Sequence, residues 1–142
     1  MGAWGVGIFQ DDSSLDWLEE AYTSGGEEAV REALTKAAET KPGEFLDDDE
    51  GIAARAAAEI VAASFGAPPE LSDDDALDTL MEHAETVAEQ DDLIPLALRA
   101  VVRLAGENSG TAESWQEAFD SADTAAWTAA IEGLEARLRG LQ

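Results

Sequence analysis

The 142-residue chain contains no cysteine, a single histidine and eight basic side chains, set against 32 acidic ones. Without cysteine there is no disulfide scaffold, no thiol nucleophile and no thiolate-ligated metal. The lone His83 rules out a multi-histidine metal site within one chain. Apolar stretches are broken by charge well short of the ~18–20 residues a membrane span needs. The opening Met1-Gly2-Ala3-Trp4 lacks the basic start and long apolar run of a secretory signal. Gly2 does not read as a myristoylation site either, because Val6 stands where Ser or Thr is required. Alternating runs of β-branched residues are missing, so strands are not expected. A net charge of −24 opposes contact with phosphate backbones and anionic lipid. These exclusions leave an acidic, cytoplasmic, single domain over residues 1–142, with no membrane association and no direct nucleic-acid binding.

What is present is 45% apolar residues, enough for a core despite the charge. The acid excess has three readings: an ordinary solvated surface, adaptation to a high-salt cytoplasm, or a functional acidic face. Imitation of DNA would be one form of the last. Duplex DNA carries roughly one charge per 100 Å² of its cylinder. A domain of this size exposes roughly 7,000 Å², so the 24 net charges would be about threefold too dilute unless gathered on one face.

Periodicity predicts an all-α fold of six to seven short helices, preceded by a Gly/aromatic-rich arm (residues 1–12) packed on the core. Gly2, Gly5 and Gly7 make that arm too glycine-rich for a helix, while Trp4, Ile8 and Phe9 can anchor it. Ser13 and Asp16 open a first helix carrying Leu15, Leu18 and Tyr22 on one face and ending at Gly25-Gly26. A second, from about Glu27 to Thr40, carries Val30, Ala33, Leu34 and Ala37, and Lys41-Pro42-Gly43 stops it. The acidic run Asp47 to Glu50 complements the positive end of an Ala-rich third helix reaching Phe65, expected to be interior because small side chains admit close neighbours. A fourth is expected from Ser72 to about Gln90, burying Leu77, Leu80, Met81, Ala84 and Val87. Leu93–Ala105 is apolar nearly all round apart from Arg99 and Arg103, the pattern of a central helix. A short helix about Ser114 to Phe119 and a last one from about Thr124 complete the chain.

Candidate chemistry is sparse. His83 lies off the apolar stripe of its helix, at a boundary or exposed position, and reads as a solvated residue beside acids, with a general base or metal ligand as the alternative. No serine stands in a nucleophile-elbow context. Asp47-Asp48-Asp49-Glu50-Gly51 has the look of a calcium loop, but its sixth and twelfth positions are Ile52 and Ala58 rather than Gly and Glu. A looser Ca²⁺ or Mg²⁺ site drawn from Asp47, Asp49, Glu50 and Glu59 is the metal candidate. The most distinctive segment is Trp4-Gly5-Val6-Gly7-Ile8-Phe9 with Asp12, Asp16 and Trp17 following. Its aromatic walls and carboxylates make Trp4, Phe9, Asp12, Asp16 and Trp17 the candidate binding residues, although the same side chains serve equally as packing anchors and helix caps.

That segment resembles the start of the bacterial domain-of-unknown-function 4259 family, whose pattern is W-G-x-G-x-F-D-N-D-x-A-x-D. Here Gln10 replaces the first Asp and Asp11 the Asn, whereas Asp12 and Asp16 are kept. The stretches Asp49 to Ala63 and Trp127 to Leu138 are also similar to the family. The resemblance implies a small, bacterial, intracellular helical domain without an assigned activity, and carries no catalytic residues with it.

Two functions compete. The first is a non-enzymatic binding or regulatory module whose acidic surface engages a basic partner protein, as an immunity-type inhibitor does. One His, one Tyr and no Cys form a poor catalytic inventory and favour it. The second is a metal-binding protein or hydrolase with Asp12, Asp16, Glu50 and Glu59 gathered about the glycine arm. The first requires carboxylates spread over an exposed face; the second requires them to converge. A scaffold role through exposed Trp17 or Trp115 is a third.

Overall fold

A computed structural model describes residues 14, 16–41, 43–67, 78–105 and 121–141. These form helices, with no strand among the described residues. In chain order they are α1 (Trp17–Tyr22, a π-helical turn), α2 (Thr23–Gly25), α3 (Glu27–Glu39), α4 (Asp48–Ser64), α5 (Ala84–Ala88), α6 (Leu93–Ala105) and α7 (Ser121–Gly140). The short helix expected near Ser114 and the glycine arm lie outside the described residues.

Helices α3, α4 and α6 each pack on the other two and form the heart of the molecule. Helix α7 lies across α6 and α4, α5 rests on α4, and α1 closes over α3 and α4. The interior position expected for the Ala-rich helix is found: every residue from Ala54 to Ala63 is buried, on all sides of α4. Six of those ten residues are alanine, whose small side chains let the neighbouring helices approach closely. Helix α6 is buried along most of its circumference but keeps one exposed stripe, Pro95, Arg99, Val102 and Ala105. Leu34, Leu46, Ile60, Leu93, Leu104, Leu134 and Leu138 fill the space between the helices, each burial being worth about 1.5–3 kcal/mol.

Two glycines carry conformations that other residues resist. Gly66, at φ +104°, ends α4 by letting the Ala67 amide bond the Ala62 carbonyl at 2.8 Å, while the Gly66 amide bonds Ala63 at 3.1 Å. Gly26, at φ +54°, turns α2 into α3, and a β-carbon there would lie 3.1 Å from the His83 ring.

The fourth expected helix is not continuous. Residues 78–80 are helical and α5 starts at Ala84, with turns at Met81, Glu82 and His83 between them. The cause lies far away in the chain. The Tyr22 hydroxyl enters the hydrogen-bond ladder at this point, donating to the Leu80 carbonyl at 2.7 Å and accepting the His83 amide at 3.1 Å. The neighbouring amides tighten to three-residue spacing, Glu82 to Thr79 and Ala84 to Met81. Met81, expected in the core, therefore turns outward and is 39% exposed.

Candidate functional site

The first candidate residues to be placed are Asp16 and Trp17; Trp4, Phe9 and Asp12 lie outside the described residues. Asp16 is exposed, and Trp17 is half-buried against the core. The π-helical turn explains what Trp17 does. Residues five apart point about 140° away from each other on an α-helix, but the wider π turn brings them round towards the same side. Trp17 and Tyr22 therefore stack, their ring centres 6.1 Å apart and 21° from parallel. Tyr22 in turn meets the His83 ring edge-on at 5.2 Å. His83 Nε2 lies 3.2 Å from the Thr23 carbonyl oxygen, which only accepts, so this nitrogen is the donor. The histidine is thus half-buried, at the boundary that its place off the apolar stripe allowed, with its ring held by Tyr22 and the Thr23 carbonyl rather than freely solvated. Burial pushes the Tyr22 phenol above its ordinary range, so it stays protonated and able to donate.

The four metal candidates do not come together. Asp47 and Asp49 are exposed and Glu50 is half-buried at the start of α4. Glu59 lies nine residues further along the same helix, about 13.5 Å by helical rise. It is buried and held by the Arg137 guanidinium, with Oε2 2.9 Å from Nη1 and Oε1 2.9 Å from Nη2. Arg137 Nη1 also donates to the Ala67 carbonyl at 3.1 Å, the group that the Gly66 turn presents to it. Among the described residues no three His, Asp or Glu side chains form a group that could hold a metal ion.

Sequence reasoning passed over the arginines. Arg103, which interrupts the apolar surface of α6, is buried and reaches the loop between α3 and α4. Its Nε donates to the Thr40 carbonyl at 2.8 Å, and its Nη2 to those of Glu44 at 2.6 Å and Lys41 at 3.4 Å. Arg55 is likewise buried within α4. Arg31 bridges outward instead: Nη1 and Nη2 meet the Asp92 carboxylate at 2.6 and 3.1 Å, and Nε meets Glu27 at 2.9 Å. The hydrogen bonds of Arg31 hold the Asp92 carboxyl below its usual range, and the same bonds raise the guanidinium pKa further. A charged residue inside an apolar helical run is the available sequence signal for such anchors.

Among the described residues Glu59 is the one buried carboxylate, and Glu27, Glu50 and Glu135 are half-buried. Glu19, Glu20, Glu28, Glu32, Glu39, Glu44, Asp78, Glu82, Glu85, Glu89, Asp91 and Glu132 are all exposed, on α1, α3, α5, α7 and the loops. With an accessible surface of 7141 Å², the mean density is roughly one net charge per 300 Å². The carboxylate of Asp47, at the N-cap of α4, makes no capping hydrogen bond.

These features define an acidic all-α domain that commits three of its six arginines, Arg55, Arg103 and Arg137, to its interior. The family model described as Domain of unknown function (DUF4259) matches residues 2–130, and the chain belongs to this family. No curated protein and no solved structure matches it. Among the described residues, no helix is long and apolar enough to cross a membrane.

Proposed function

We infer that this chain is a non-enzymatic binding or regulatory module of a bacterial cytoplasm, which engages a basic protein partner through its acidic surface. The observation that supports this reading is the division of its charges. Two of eight cations, Arg55 and Arg103, are withdrawn into the core, and Arg137 is committed to buried Glu59. Most carboxylates of the described residues, by contrast, stay exposed, on several helices and loops. A dispersed anionic surface steers a cationic partner and speeds its association, whereas a metal or hydrolytic centre needs carboxylates brought into one pocket. The same field repels nucleic acid and anionic membranes.

Thermal unfolding in low salt, in high NaCl and in low salt with millimolar Ca²⁺ or Mg²⁺ tests the reading. Stabilisation by NaCl and by divalent salts that follows ionic strength alone is the expected result. A ligand at 100 times its dissociation constant adds roughly 2.7 kcal/mol. A divalent-specific gain of that size would overturn the proposal in favour of a carboxylate metal site.

A further inference from the structure

Among the large apolar side chains of the described residues, Phe45 is the most exposed, at 53%, and it stands in an unusual place. An isolated exposed apolar residue needs no explanation on its own. Here, however, the backbone beneath it is fixed from inside. Arg103 collects the carbonyls of Thr40, Lys41 and Glu44, and the Glu44 amide closes a turn onto Lys41 at 2.8 Å. Leu46, the next residue, is fully buried. Phe45 is therefore held outward between two anchored neighbours. On either side along the chain stand the exposed carboxylates of Glu44, Asp47 and Asp49, with Lys41 as the nearby cation.

We propose that Phe45 is the anchor through which a basic partner protein docks, its ring entering an apolar pocket rimmed by Lys and Arg side chains of that partner. The proposal rests on the binding-module reading and locates its contact surface. Binding hot spots combine a large apolar anchor with flanking groups that exclude water, and a pre-ordered loop loses little freedom when it binds. The charges choose the occupant. A second copy of this chain brings −24 of its own, and nucleic acid or anionic lipid brings the same sign. A cationic rim around an apolar pocket complements both the ring and its carboxylates.

The test is selection of a random dodecapeptide display library on the immobilised full chain, followed by calorimetric titration of the selected peptides. Phe45→Ser and, as a control, Met81→Ser are titrated in parallel; both positions are exposed, and melting curves check that the variants are folded. The expected peptides carry Lys or Arg around an apolar residue and lose about tenfold in affinity on Phe45→Ser. Met81→Ser leaves them unchanged. Basic peptides that bind Phe45→Ser as tightly as the parent overturn the Phe45 assignment but leave the basic-partner reading standing. Selected peptides without cationic residues overturn both, and a selection that enriches nothing overturns the Phe45 anchor.

Discussion

Two arginine–carboxylate pairs in this protein have almost the same geometry and opposite surroundings. Arg137 meets Glu59 with two parallel bonds of 2.9 Å, inside the packing of α7 against α4. Arg31 meets Asp92 with two bonds of 2.6 and 3.1 Å, at the surface. The Glu59 side chain is 3% exposed, that of Asp92 63%. Contact distance therefore says little about what each pair contributes. The buried carboxylate has given up water and depends on its partner, while the exposed one is solvated either way.

Arg137→Met separates the two regions most strongly. It leaves Glu59 charged and unpaired, and the loss should be about 3 kcal/mol, the lower end of the range for buried pairs because Arg137 retains some exposure. Urea unfolding measures it. Replacing both partners, as in Glu59→Leu with Arg137→Met, should restore most of that loss, since no buried charge remains. If the double variant is no more stable than the single one, the cost does not come from a stranded charge.

An uncharged buried contact provides the middle of the scale. Tyr22→Phe keeps the ring stacking but removes the hydroxyl that serves Leu80 and His83, at an expected cost of about 1–3 kcal/mol. The smallest effect belongs to the surface pair: Asp92→Asn should cost no more than about 1 kcal/mol, less in high salt. Its sign with pH is fixed by the lowered Asp92 carboxyl. The stabilisation is fully present above the unfolded carboxyl value of about 3.9 and is lost as pH falls through the lower folded value. Stability curves of parent and variant should therefore converge in strong acid.

Where local chemistry determines an element, the sequence announces it. Gly25-Gly26 and Lys41-Pro42-Gly43 bracket α3, and the apolar run Leu93–Ala105 is helical throughout as α6. The interruption at Met81–His83 was illegible because its agent, Tyr22, lies 58 residues before Leu80 and reaches it only after α1 has packed. Nothing near residue 81 breaks a helix in sequence terms. The π turn is hidden for the same reason: Trp17 and Tyr22 stack only in the folded state. For the candidate site, Glu59 had the right residue type for a metal ligand. What decided its role was the approach of Arg137 from α7, 78 positions later. Asp47, Asp49 and Glu50 were legible as a helix start, and they occupy one, although Asp47 does not cap it with its side chain.

The alanines of α4 have a consequence for heat and for change. An alanine has no rotamers to lose, so burying Ala54, Ala56, Ala57, Ala58, Ala62 and Ala63 carries no side-chain entropy cost, where each leucine would cost about 0.5–1 kcal/mol. The centre of the molecule is thus assembled from the parts that resist ordering least. The same economy leaves no slack: an added methyl group there must push a neighbouring helix aside, at about 1–3 kcal/mol. The acidic exterior can drift through many substitutions, while the innermost helix tolerates almost no growth.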